Sequence, residues 1–230
     1  MTELNACEFN LKIDMTKTLD FEFGNELWTA HSSGALYSEK FNCLLIADVH
    51  LGKVSHFRKH GAAVPTGAIQ ANFDQLNEAI AFFNTNSIYF LGDLFHSHSN
   101  KEWDFFARWV ETYQPETTLV LGNHDIIPLS RYDSIGIKTC EEGQLEDIIL
   151  THIPVDDPQQ PTISGHVHPG VRLRGVGRQS LSLPCFYATK NQLILPAFGS
   201  FTGKHILRPK SQDRIYAIAE GELLALHEPA

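Results

Sequence analysis

The sequence is short of the features that would put it in a membrane, in an oxidising compartment or along an anionic polymer as a general coat. No apolar run approaches the ~20 residues needed to cross a bilayer. The start MTELNACEFNLKIDMTK has neither the basic nor the apolar region of a signal peptide, so a cytoplasmic location and no membrane association are expected. The four cysteines, Cys7, Cys43, Cys140 and Cys185, are scattered without a CxxC pair, which argues against a thiolate zinc site and a disulfide framework alike. Cations are the minority, 18 against 27 acids for a net charge of -9, and this excludes a basic coating surface over the whole molecule. Internal repeats, low-complexity tracts and linkers are also missing. The one excess is histidine, at twelve residues.

With 230 residues, 43% of them hydrophobic, a single domain over 1–230 is expected, burying roughly 70–75% of its unfolded surface. Residues 1–40 alternate apolar and polar types (LDFEFG, ELWTAH), as short antiparallel strands do. Beyond them, short apolar runs alternate with helix-type stretches, the pattern of βαβ crossovers. The spacing predicts a helix over 66–84, with Ala71, Leu76, Ile80 and Phe83 on its apolar side, and a second over 101–112. Past Gly170 the text returns to β-like segments (VRLRGV, QLILPAF, RIYAIAE), which suggests a second sheet layer.

Five apolar runs end in residues of one chemical kind. CLLIA leads into Asp48-Val49-His50, SIYFL into Gly92-Asp93, and TTLVL into Gly122-Asn123-His124-Asp125. EDIIL leads into Thr151-His152, and PTIS into Gly165-His166-Val167-His168. Strand alternation would turn Asp48 with His50, and His166 with His168, toward one point, and Gly92 and Gly122 allow a tight exit from their strands. The carboxyl ends of parallel strands lie along one edge, where open α/β folds bind ligands. Taken singly, Asp48 or His152 would be an ordinary turn cap or a satisfied histidine. Seven metal-competent side chains at five strand ends exceed what capping produces.

Imidazole, carboxylate and amide oxygen without thiolate suit borderline to hard divalent ions such as Mn²⁺, Fe²⁺ or Zn²⁺. A structural ion closes with four ligands, so the surplus predicts two ions sharing one carboxylate at a spacing of about 3.5–4 Å, with positions left for water and substrate. Such a pair acts on phosphoryl esters, generating a hydroxide for in-line attack on phosphorus and neutralising the non-bridging oxygens.

The order DVH, GD, GNHD, TH, GHVH resembles the calcineurin-like metallophosphoesterases. The resemblance implies an α/β sandwich of two mixed sheets flanked by helices. It implies one ion on Asp48, His50, Asp93 and His168, and a second on Asp93, Asn123, His152 and His166, with Asp93 bridging. His124 matches the family's catalytic histidine, which protonates the leaving oxygen or stabilises phosphoryl charge, and Asp125 would orient His124 or hold the turn. The text between the motifs is similar to one branch, the bacterial ligase-associated DNA damage response endonucleases, in ADVHLGK (47–53), Phe57-Arg58, GDLFH (92–96), GHVHP (165–169), LPCF (183–186) and LPAFGSFTG (195–203). Ile153 stands where that branch has an acidic residue, and Lys204 where a glycine is common. This second resemblance implies a Mn²⁺-dependent phosphodiesterase acting on DNA in repair, in association with a DNA ligase and a helicase.

The alternative is a small-molecule phosphoesterase or pyrophosphohydrolase acting on cyclic nucleotides or nucleotide sugars; a scaffold would be expected to lack ligands or the catalytic histidine. Lys53 and Arg58, with Lys59, follow the first motif in a loop that could bind substrate phosphate or form a solvated cluster. His96 and His98 could face solvent or the substrate. Residues 170–214 carry eight basic side chains against Asp213 alone, a local surplus that a nucleic-acid backbone would use.

Overall fold

In a computed structural model, which describes residues 16–53, 67–96, 101–175, 179–199 and 202–227, the alternating text after residue 40 becomes a sheet with helical crossovers. Strands β4 (Cys43–Ile46), β5 (Ser87–Leu91), β6 (Glu116–Val120) and β7 (Lys138–Cys140) pair in parallel, with α1 (Gly67–Phe83) and α2 (Lys101–Tyr113) connecting the first three. All four residues of β4 are buried, as expected of a strand covered on both faces. Strands β1 (Thr18–Phe23), β2 (Glu26–His31) and β3 (Leu36–Ser38) extend this sheet antiparallel to make seven strands.

Helix α1 buries Phe73, Leu76 and Ala79, with Ile80 and Phe83 partly covered, whereas Ala71 is exposed, contrary to expectation. Ala71 precedes Leu76 by five positions, about 140° away round a helix of 3.6 residues per turn. Helix α2 buries Trp103, Phe106, Trp109 and Val110, which follow the helical period closely.

The second sheet has nine strands and starts earlier than expected, at β8 (Gly143–Leu145). It continues through β9 (Ile148–Leu150), β10 (Thr162–Ser164), β11 (Pro169–Arg174), β12 (Ser180–Ala188), β13 (Gln192–Ile194), β14 (His205–Ile206), β15 (Arg214–Ala219) and β16 (Glu222–His227). Its order is β14-β11-β12-β13-β10-β9-β8, and β15 joins β12 to β16. The five motif strands therefore do not share one sheet: β4, β5 and β6 lie in the first, β9 and β10 in the second. Three-residue strands such as β9 and β10 carry too little pattern to reveal which sheet takes them.

Between the sheets lies a core containing Phe21, Trp28, Leu45, Leu150, Phe186 and Tyr216. Burying each such side chain is worth roughly 1.5–3 kcal/mol, and together they fix how the two sheets face. The helices cover the outer face of the first sheet through Phe73, Phe106 and Tyr132, the last on the short α3 (Leu129–Asp133). The second sheet has a further cluster of its own, including Val171, Cys185 and Ile215. Among the described residues, helices thus flank the sandwich on one side.

The two sheets are stitched where their carboxyl ends meet. Ala47 forms an isolated parallel bridge with Ala197. The Phe198 N–H donates to the Ala47 carbonyl at 2.9 Å, and the Gly199 N–H to that of Asp48 at 3.1 Å. This seam brings the ends of all five motif strands together.

Candidate metal centre

Strand alternation does not create the ligand pairs. Strand β4 has ended at Ile46 and β10 at Ser164, and the donors sit in loops whose backbone repeatedly turns left-handed. Asp48 (φ 55°), His50 (51°), Asp93 (50°), His166 (69°) and His168 (51°) all have positive φ. Asp and His visit this region more readily than most residues, but it remains uncommon for both. The intervening Val49 is buried in the helix-side core, so the left-handed turns swing Asp48 and His50 to the seam while Val49 anchors the loop.

Two sets of donor atoms result. Atoms of Asp48, His50 and His168 lie within 4.8 Å of one another, and so do those of Asp93, His152 and His166. In the first set His50 Nε2 is 3.2 Å from His168 Nε2, which is 3.3 Å from Asp48 Oδ1. In the second, His152 Nε2 is 3.3 Å from Asp93 Oδ1, 3.0 Å from Asn123 Oδ1 and 3.1 Å from His166 Nδ1. The sets are linked by the His166 N–H, which donates to Asp48 Oδ2 at 2.8 Å. All seven sequence-derived ligands are thus together. Asp93 groups with the second set, and its expected sharing with the first is not visible in this grouping.

The residues fit divalent ions on chemical grounds. Asp48 Oδ1 is buried without a hydrogen-bond partner, although an unsatisfied buried polar atom is costly. His152 Nδ1 is 2.9 Å from the Leu91 carbonyl. A carbonyl can only accept, so Nδ1 carries the proton and Nε2 turns its lone pair toward Asp93 and Asn123. Burial, then the nearby cation of Lys53 and the surrounding rings, pushes the His50 pKa far down. Burial and His152 lower that of His166, opposed by Asp48 and Asp93. The lowered pKa values of His50 and His166 favour the neutral imidazole that a cation needs as ligand, and the Asp48 and Asp93 carboxylates converge on the same points.

Gly92 and Gly122 are required for different reasons. Gly92 has φ +76°, and a side chain there would collide with the His152 ring; Gly122 lacks positive φ, but its Cβ would strike Asp93. The Asp125 carboxylate holds this region together. It accepts N–H groups from Gly122 (2.9 Å), Asp93 (2.8 Å), Leu94 (3.0 Å) and Phe95 (3.3 Å). Burial pushes its pKa up to about 6 despite those donors. Of the two roles expected for Asp125, the geometry supports holding the turn.

His124 is exposed at the mouth, its N–H donating to Asp93 Oδ1 at 2.9 Å and its ring centred 6.1 Å from that of His50. His96 belongs to the same array, 5.7 Å from His50 and 5.5 Å from His124. Sequence left it undecided between solvent and site, and only the GDLFH run pointed to it. Burial lowers the Lys53 pKa while Asp48 and Asp93 oppose the shift, which places this cation beside the centre. Arg58, Lys59 and His98 lie outside the described residues. Sequence reasoning missed Glu102, a buried carboxylate on α2 that accepts the Gly52 N–H and braces the loop after His50. No described helix is long and apolar enough to cross a membrane.

Residues 41–151 match the model of a family described as calcineurin-like phosphoesterase. Among solved structures, the chain is similar to the Pseudomonas putida nuclease MPE, with 28% identity, 90% of this chain and 99% of that one covered, and a TM-score of 0.77. Weaker matches are a protein of unknown function from Aquifex aeolicus (18% identity, 55% and 78% covered, TM-score 0.40) and the phosphoesterase Yfce from E. coli (15%, 77% and 88%, 0.39). No curated protein matches the chain.

Proposed function

We propose that the chain, whose residues 41–151 match the calcineurin-like phosphoesterases, is a phosphodiesterase that cleaves DNA in repair. The observation that carries this reading is the pair of donor sets beside an exposed His124, next to a chain segment rich in cations. Likeness to a nuclease over nearly the whole length of both chains supports it. Asp48, His50, Asp93 and His168 would hold one divalent ion, and Asp93, Asn123, His152 and His166 the other, with Mn²⁺ favoured over Fe²⁺ or Zn²⁺ by the branch resemblance. When bound, such ions supply an acidified water and neutralise charge on the phosphoryl oxygens.

The chain's own residues do the rest. With its Nδ1 proton on the Leu91 carbonyl, His152 would offer the Nε2 lone pair to an ion beside Asp93 and Asn123. Asp125 fixes the loops carrying Asp93 and Asn123, so both keep their places when a substrate arrives. His124, at the open mouth, is positioned to give a proton to the departing oxygen, with His96 beside it. Lys53 adds a positive charge near the phosphoryl group, and Arg58 is proposed to do the same. Association with a DNA ligase and a helicase, and a cytoplasmic location, belong to the same reading and rest on the sequence alone.

The test is hydrolysis of bis- and mono-(p-nitrophenyl) phosphate, then of DNA, in separate Mn²⁺, Fe²⁺ and Zn²⁺ solutions. The expected result is a strong preference for the diester and cleavage of DNA. An active diesterase that neither binds nor cuts DNA at low salt would instead establish the small-molecule reading.

A further inference from the structure

The basic segment 170–214 is not spread evenly round the centre. Arg214 points elsewhere, its Nη1 donating to the Glu22 carbonyl at 2.6 Å and its guanidinium lying over the Phe21 ring; Arg178 lies outside the described residues. Strand β11, by contrast, leaves directly from His168. Val171 and Leu173 pack in the second sheet's own cluster, so Gly170, Arg172 and Arg174 share the opposite face, where both arginines are exposed. Strand β14 runs beside it with Pro169 opposite His205, and the His205 N–H donates to the His168 carbonyl at 2.9 Å. A Cβ built on Gly170 would lie 3.0 Å from Lys204 Cβ, so the exposed Lys204 begins on that same face.

Lys204, Arg172 and Arg174 therefore form a ladder that starts at a metal-site histidine and runs outward. From Gly170 to Arg174 it spans about 13 Å at a strand rise of about 3.3 Å per residue. A duplex strand presents a charge every 3.4 Å or so along its axis; the ladder accommodates roughly two to four phosphates.

The chain leaving the other donor set has a different character. After His152 it reads Ile153-Pro154-Val155-Asp156-Asp157, with Ile153 54% and Val155 44% exposed and both aspartates exposed. After His124, Ile126 is 49% exposed, and the next cation along, Arg131, is stacked 4.4 Å over the Trp103 ring. Aliphatic and acidic groups offer a phosphate nothing.

We propose that the centre grips its substrate chiefly on one flank, the β11 ladder holding the phosphates to one side of the scissile linkage, while among the described residues no cation of the chain leaving His124 and His152 reaches toward the other side. This rests on the nucleic-acid reading above. The test uses two oligothymidylates with one labelled linkage in the middle. In one, the phosphates on the 5′ side are replaced by neutral methylphosphonates; in the other, those on the 3′ side. Cleavage at the labelled linkage by the Mn²⁺-loaded enzyme is expected to differ at least about tenfold in kcat/KM between them, and Arg172→Ala with Arg174→Ala should bring the ratio close to one. Equal rates with the unaltered enzyme, or a ratio that survives in the variant, would overturn the one-sided grip while leaving the nuclease reading intact. Failure to cut even the all-phosphate strand, with the nitrophenyl diester still hydrolysed, would overturn both.

Discussion

Asp48 and His50 are buried beside half-buried His168, and two atoms of this set, Asp48 Oδ1 and His50 Nδ1, have no hydrogen-bond partner. Asp93 and His152 are equally buried, but their companions His166 and Asn123 are exposed, and both are tied to the backbone: His152 to the Leu91 carbonyl, Asp93 to the His124 N–H. The first set is enclosed and only partly satisfied, with the His166 N–H on Asp48 Oδ2 but Asp48 Oδ1 unpaired, while the second is open and anchored through both Asp93 and His152. On the proposed reading, an ion in the first would relieve the buried Asp48 Oδ1 and add to the stability of the fold, while an ion in the second would sit at the open side.

Asp93→Ala breaks this comparison most completely, because it removes the carboxylate proposed to serve both ions. Diesterase activity is expected to fall to background, and elemental analysis to show at most one ion per chain. A single tightly held ion in fully active unaltered enzyme would sink the two-ion reading.

His124→Ala separates chemistry from metal holding. Both ions should remain while the rate falls roughly 10²- to 10⁴-fold on alkyl or nucleoside leaving groups, the usual contribution of a positioned acid. With p-nitrophenolate, which departs without a proton, the loss should be visibly smaller; equal losses would assign His124 to charge stabilisation.

Asp125→Asn targets the anchoring of the second set. An amide offers only one accepting oxygen to the four N–H groups now shared by the carboxylate. Metal titration should show the ion of the second set losing affinity by about 10- to 100-fold, the scale for groups that orient ligands, with the ion of the first set less affected. Equal weakening of both would mean that the sets are not independent.

Metal stripping gives the smallest effect and bears on the first set. Mn²⁺ at 100 times its dissociation constant contributes about 2.7 kcal/mol by mass action. Calorimetry should find most of this thermal gain kept in Asn123→Ala and lost in Asp48→Ala.

The donor residues were legible because the chemistry constrains side-chain identity, and five motifs of fixed spelling preserve it. Their geometry was not. The pairing of Asp48 with His50 looked like strand alternation, whereas it arises from left-handed turns that the letters D and H permit but do not announce. Helices α1 and α2 could be placed within a residue or two because each has one apolar stripe. Strands β9 and β10 were readable as strands but not as members of the second sheet: they pair with each other and β9 with its neighbour β8, and the link to the later strands is made by β10 alone, through β13. Asp125 and Glu102 act through backbone N–H groups, which leave no trace in sequence.

Five left-handed donors have a consequence for how such a chain changes over generations. Each sparsely populated conformation costs on the order of 1–3 kcal/mol, so the set approaches the 5–15 kcal/mol by which whole domains are stable. Glycine at any of these positions would ease the backbone and delete a ligand in one step. Selection for sturdiness alone would therefore drift toward an inert shell of the same shape, and only demand for the reaction keeps Asp48, His50, Asp93, His166 and His168 in place.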